Sequence, residues 1–241
     1  MLVTKFVATA IAPARAAVDP ALAFPPYRLS GTVLGALMNH RSAWTELAAA
    51  IDGPPYDGPP RAPVLYVKPR NTLAGGGAEV AVPRGVPELE IRATVGMIIG
   101  RAARRLTAAD AMSHVAGFLI VNDLCIPHDR FFRPAIRESA RDGFCPLSAA
   151  VDARSSNFDP AIASIRVSVD GELRQTANGV DWVRTPSELL AAISEFMTLA
   201  PGDVVTLGAA RPAPRARPGS TSVIEVAGLG RLSNAYVAET P

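Results

Sequence analysis

At 241 residues the chain is long enough to bury a full core, and with no Ser/Gly linker dividing it a single domain is expected. Apolar residues make up 49% and charged residues 19%, a globular composition, and a formal net charge of +2 leaves no field strong enough to argue for nucleic acid or an acidic membrane. No run approaches the roughly 18 uninterrupted apolar residues of a membrane span, and the two cysteines, Cys125 and Cys145, sit in apolar contexts that suit buried, reduced thiols of a cytoplasmic protein.

Residues 1–30, rich in Ala and Pro, read as an arm ahead of a domain over 31–241. The first stretch carries Lys5 and a short apolar run interrupted by Thr9, which fits an edge strand or loose arm better than a secretion signal. Thr32 to Met38 reads as a short strand and Asn39 to Ile51 as a helix. After a Pro/Gly surface loop over 53–63, Val64 to Val67 reads as a strand that delivers Lys68, Pro69, Arg70, Asn71 and Thr72 to its carboxyl end. Three glycines, Gly75 to Gly77, then break the chain before the next strand, and no lysine or helix follows them to make a phosphate cradle.

Thr107 with Asp110 three residues on predicts a short helix to about Ser113. The apolar run from Val115 to Ile126 contains Asn122 and Asp123, and a carboxylate there must face a metal, a substrate or a cation, because burying it alone is costly. Asp170-Gly171 is a hairpin signal. Thr185, Pro186 and Glu188 predict a capped helix through Leu189 to Met197. Turns at Pro201-Gly202 and Pro218-Gly219 launch strands over Val204 to Leu207 and Ser222 to Val226, and Gly228 to Gly230 closes a last hairpin. Many short strands, few short helices and no strict βα alternation predict a β-rich α+β fold.

Seven blocks, taken together, resemble the fumarylacetoacetate hydrolase family: Met38 to Arg41, Val67 to Thr72, Ile98 to Arg104, Val115 to Asp123, Arg141 to Pro146, Ser194 to Asp203 and Gly228 to Asn234. Within it the likeness is greatest to the amino-terminal half of the bifunctional isomerase/decarboxylases of 4-hydroxyphenylacetate degradation, with Asn39 to Ser42 and Phe132 to Ile136 as further markers. The resemblance implies a rolled, mixed β-sandwich with short peripheral helices and a pocket at the mouth of the roll. It implies a substrate that is a small di- or tricarboxylate, and a family habit of binding Mg²⁺ or Mn²⁺ through three carboxylates, a hard cation that draws charge from an enolate. Such enzymes consist of two similar halves, fused or separate, so a homo-oligomer or a paralogous catalytic subunit is the expected partner.

Position by position, the resemblance places the family's Glu-x-Glu pair at Arg92 and Thr94, leaving Asp123 as the one matched metal ligand. No tightly bound cofactor is therefore expected, and an ion pair between Arg92 and Asp123 is. The family's substrate lysine falls at Ser139, and its lid-helix histidine at Ala43, with Glu46 near the place of the partner glutamate. The family's Gly-Thr-Pro turn reads Gly208, Ala209, Ala210. Arg92 and Glu46 are the catalytic candidates; Lys68, Arg70, Arg133 and Arg141 are candidates for gripping substrate carboxylates. His40 is read as capping or packing, His114 as surface, and His128 as able to reach the pocket mouth; nothing in the spacing supports a Cys145 and His128 nucleophile pair. Three readings remain open: a subunit of the pathway isomerase/decarboxylase, a metal-independent enzyme using Arg92 as electrophile, and a non-catalytic carboxylate-binding assembly subunit.

Overall fold

The computed structural model describes residues 31–54, 58–129 and 134–240. The arm expected over 1–30 and the candidate Arg133 lie outside the described residues. In chain order the strands are β1 (Val33–Leu37), β2 (Val64–Lys68), β3 (Leu73–Gly75), β4 (Glu79–Val82), β5 (Leu89–Ile99), β6 (Val115–Cys125), β7 (Cys145–Leu147), β8 (Val151–Asp152), β9 (Ser164–Val169), β10 (Glu172–Asn178), β11 (Val204–Thr206), β12 (Arg215–Ala216), β13 (Thr221–Val226) and β14 (Gly230–Ala238). The α-helices are α1 (Arg41–Ile51), α2 (Ala108–Ala111), α3 (Ile136–Ser139) and α4 (Pro186–Phe196).

One sheet runs β2-β1-β11-β5-β6-β7-β3, with β12 beside β5 and β8 beside β6; the other runs β10-β9-β13-β14-β4. The pairs β1 with β11, β3 with β7 and β4 with β14 are parallel and the rest antiparallel, giving the mixed, strand-rich α+β architecture expected. The centre of the first sheet is the long antiparallel pair β5 and β6, buried at every residue. Burial on both faces explains why these two segments read as nearly unbroken apolar runs rather than as alternating ones.

The two faces of that pair serve different compartments, because successive strand side chains point to opposite sides. Ile91, Ala93, Val95 and Met97 join residues of the second sheet, such as Ile165, Val167, Ile224 and Tyr236, in the main core. Ile98, Leu119 and Val121 instead form a small second core with Val33, Leu73, Cys145, Leu147 and Val204. This second core lines the inside of a curled sheet: Tyr66 and Lys68 on β2 touch Asp123 on β6, although the two strands stand four places apart in the sheet order. Gly35 leaves room for the Tyr66 ring to lie across β1, since a Cβ there would stand 1.9 Å from it.

Local signals set the helices. The Thr185 side chain accepts from the Glu188 amide and Glu188 returns the bond to the Thr185 amide, a capping box with Pro186 behind it, as the sequence predicts. α1 starts two residues later than expected, at Arg41, because Asn39 is used elsewhere: its amide group donates to Arg184 O (3.1 Å) and Leu207 O (3.0 Å) and accepts from Arg184 N. His40 then caps α1, accepting from Ser42 N, and its ring meets Trp182 edge-on at 5.2 Å. The helix opened by Thr107 makes one α-turn and continues as 3-10 helix to His114. Asp170 and Gly171 both have positive φ, 53° and 83°, the turn that matches the twist of a two-residue hairpin. Among the described residues no helix is long and apolar enough to cross a membrane.

Candidate functional site

The polar residues of the candidate site lie on the inner face of the β5 and β6 pair. Glu90, Arg92 and Thr94 share that face of β5, and across the ladder Cys125 stands opposite Glu90 and Asp123 opposite Arg92. The expected Arg92 to Asp123 ion pair is not what forms. Asp123 Oδ1 lies 2.7 Å from Lys68 Nζ, and Oδ2 accepts a hydrogen bond from the Tyr66 hydroxyl. Lys68 is almost wholly buried and also donates to Leu124 O (3.0 Å) and Ser139 O (2.7 Å), so its charge is held by one ion pair and two hydrogen bonds. A compact ammonium on a long stem reaches this enclosed spot from β2.

Arg92 turns along its own strand to Glu90, donating through Nε (3.0 Å) and Nη2 (2.8 Å) to one carboxylate oxygen. That oxygen accepts a third bond, from Arg211 Nη1 at 2.8 Å. Burial alone would raise the Glu90 pKa, but the two guanidinia outweigh it and hold the carboxyl below its ordinary range. Arg211 uses its other edge on Glu46 of α1, through Nε (2.8 Å) and Nη2 (3.0 Å). Three carboxylates, Asp123, Glu90 and Glu46, are thus matched by three cations, Lys68, Arg92 and Arg211.

The links differ in strength. The Glu46 side chain is 40% exposed, and an ion pair in such contact with water is worth roughly 0–1 kcal/mol. Glu90 is 5% exposed, and removing a partner from a buried pair of that kind costs about 3–5 kcal/mol. The inner links are therefore the costlier ones to break.

Thr94 is buried and donates to Gly208 O at 2.5 Å, tying β5 to the turn over 208–210. His128 is half-buried, and burial followed by the positive charge of Arg92 lowers its pKa, so it is neutral near pH 7. Burial pushes the Cys125 thiol up to about 11 and the Cys145 thiol up to about 12, so both stay protonated, and both are free. Burial, and then the Asp123 carboxylate, raises the Tyr66 pKa well above its ordinary value.

Of the sequence candidates, Arg92, Glu46 and Lys68 belong to this cluster, but all three are engaged within the chain. Arg70 is exposed, and the partly exposed Arg141 donates to Arg137 O at 3.3 Å. Tyr66, Glu90 and Arg211 were not singled out by sequence. Glu90 is detectable in retrospect from its i, i+2 spacing to Arg92, and Tyr66 from the same spacing to Lys68; Arg211 carries no local signal. Among the described residues, no three His, Cys, Asp or Glu side chains gather into a group that could hold a metal ion.

Comparison with known proteins places this architecture. The model of the family described as "Fumarylacetoacetate (FAA) hydrolase C-terminal" matches residues 32–237. The 4-hydroxyphenylacetate degradation bifunctional isomerase/decarboxylase of Salmonella dublin is 38% identical over 214 residues, covering 88% of this chain and 48% of that protein. The corresponding Escherichia coli protein is 36% identical with the same coverage. The chain therefore spans about half the length of these curated relatives. Among solved structures, 5-carboxymethyl-2-hydroxymuconate delta-isomerase from Mycobacterium smegmatis superposes with a TM-score of 0.74 at 25% identity, over 87% of this chain and 80% of that one. Fumarylpyruvate hydrolase from Pseudomonas aeruginosa, solved with Mn²⁺ and pyruvate, shares the fold with a TM-score of 0.76 at 22% identity, over 87% and 90% of the two chains. With its rolled sheet and 206 of its residues under the family model, from 32 to 237, the chain belongs to the fumarylacetoacetate hydrolase family.

Proposed function

We propose that this chain is a metal-free subunit of an isomerase/decarboxylase of homoprotocatechuate (4-hydroxyphenylacetate) catabolism. It supports a paralogous chain that keeps the three metal-binding carboxylates and acts on 5-oxopent-3-ene-1,2,5-tricarboxylate and 2-hydroxyhepta-2,4-diene-1,7-dioate. The single observation that carries the reading is the occupation of Asp123: one oxygen faces the Lys68 ammonium and the other accepts from Tyr66. A divalent cation needs several oxygen ligands. Here it would meet two engaged carboxylates, Asp123 held by Lys68 and Tyr66 and Glu90 held by Arg92 and Arg211, the Lys68 and Arg92 cations themselves, and the Thr94 hydroxyl, which is already bonded to Gly208 O. These residues do not fit Mg²⁺ or Mn²⁺.

The likeness to one half of two-part relatives supports the same reading. Glu46 is poorly placed as an independent base, because both its oxygens already accept from Arg211. Arg92 is likewise poorly placed as an electrophile, since its fork is closed on Glu90.

The test is turnover of the tricarboxylate by the purified chain with Mg²⁺, alone and mixed with the paralogue. The expected result is negligible activity alone, co-sedimentation of the two chains, and higher turnover in the mixture than with the paralogue alone. Strong Mg²⁺-dependent turnover by the isolated chain would overturn the proposal.

A further inference from the structure

We propose that the outer edge of Arg211 is a carboxylate-binding site occupied in this chain by Glu46, and that a small di- or tricarboxylate enters by displacing Glu46 from it. The proposal deepens the function proposed above and rests on it for the class of ligand.

The geometry of Arg211 comes first. Its guanidinium serves two carboxylates from different elements, Glu90 on β5 through Nη1 and Glu46 on α1 through Nε and Nη2. The second contact is the two-bond fork by which a guanidinium holds any carboxylate, so a ligand carboxylate replaces Glu46 like for like.

Burial decides which contact exchanges. Glu90 is enclosed and shared with Arg92, so losing its bond to Arg211 would leave a buried charge short of partners. Glu46 is 40% exposed and is taken up by water when it leaves, while the Arg211 side chain, 15% exposed, remains near enough to the surface to be reached.

Anchoring of α1 is the third element. Ser42 Oγ accepts from the Arg211 backbone amide at 2.8 Å, and His40 caps the helix. The first turn of α1 is thereby fastened independently of Glu46, whose side chain can swing out one turn further along without unseating the helix. Glu46 then acts as a built-in competitor that sets how tightly the outer edge of Arg211 takes a ligand.

The probe is propane-1,2,3-tricarboxylate, an unreactive tricarboxylate, titrated calorimetrically into the full chain at constant ionic strength. Glu46→Gln is expected to bind it about five-fold more tightly than the unaltered chain, the gain that corresponds to removing an exposed ion pair. Arg211→Gln is expected to abolish binding, and Arg211→Lys, which keeps the charge and loses the fork, to weaken it about ten-fold. Circular dichroism melts report whether the Arg211 variants fold. If they do not, Glu46→Gln decides the matter, and equal or weaker binding by that variant overturns the site. Unchanged binding by folded Arg211→Lys overturns it as well. Failure here with a working mixed-chain assay removes the arginine site and leaves the subunit reading standing; the opposite pattern does the reverse.

Discussion

Lys68 shows how burial changes the meaning of a residue. On sequence it is a cation suited to substrate; in the fold it is enclosed, paired with the Asp123 carboxylate and donating to Leu124 O and Ser139 O. Lys68→Ala should therefore destabilise the chain by about 3–5 kcal/mol, because it strands a buried carboxylate. Urea unfolding of this variant checks the loss. Glu90 makes a second prediction at this scale. Its folded pKa lies below its unfolded one, so the stability it contributes is present above the ordinary carboxylate pKa and is lost as the pH falls through the folded value. Melting temperature should drop on the acid side, between about pH 5 and 3, and Glu90→Gln should flatten that part of the profile while lowering stability at pH 7. Tyr66 acts at the opposite end: its pKa is raised, so the stability contributed by its neutral form is lost only as the pH climbs above about 10.

Among the elements, α4 was legible because its signal is local: Thr185, Pro186 and Glu188 lie within one turn and find one another in the fold. Thr185→Ala should cost about 1 kcal/mol, measured by chemical unfolding, with the mixed-chain activity unaffected. The Asp170-Gly171 hairpin and the turns at Pro218 and Gly228 were legible for the same reason. The start of α1 was not, because Asn39 is drawn into bonds with Arg184 and Leu207, more than a hundred positions away in the chain. Gly35 is the element-scale device that no pattern announced. Gly35→Ala should push the Tyr66 ring off Asp123, which a spectrophotometric tyrosine titration would report as one phenol returning toward ordinary pKa.

For the whole molecule, the strand-rich fold and its family followed from blocks that keep their order along the chain, and the alignment of Arg92 and Thr94 with the family's carboxylate positions is the sequence ground for the altered pocket proposed above. The pairing inside that pocket did not follow. Arg92 and Asp123 are direct neighbours across β5 and β6, and a reading limited to that ladder joins them. The partner that takes Arg92 is Glu90, two residues away on the same strand, whereas the partner that takes Asp123 is Lys68 on β2, brought in by the curl of the sheet, which adjacent sequence does not encode. The same curl predicts the pattern of hydrogen exchange. Amides of β5 and β6, central and buried on both faces, should exchange only through global unfolding, while those of the two-residue strands β8 and β12 should exchange through local opening.

Asn122 and Asp123 are consecutive, yet Asn122 donates to Asn234 and Tyr236 in the space between the sheets while Asp123 faces Lys68 inside the roll. A one-residue insertion upstream in β6 would present the neutral Asn122 amide to the ammonium, and a one-residue deletion would present the Asp123 carboxylate to the tyrosine and the amide between the sheets. The pocket can therefore drift in evolution by substitution, one side chain at a time, but the length of this strand is frozen.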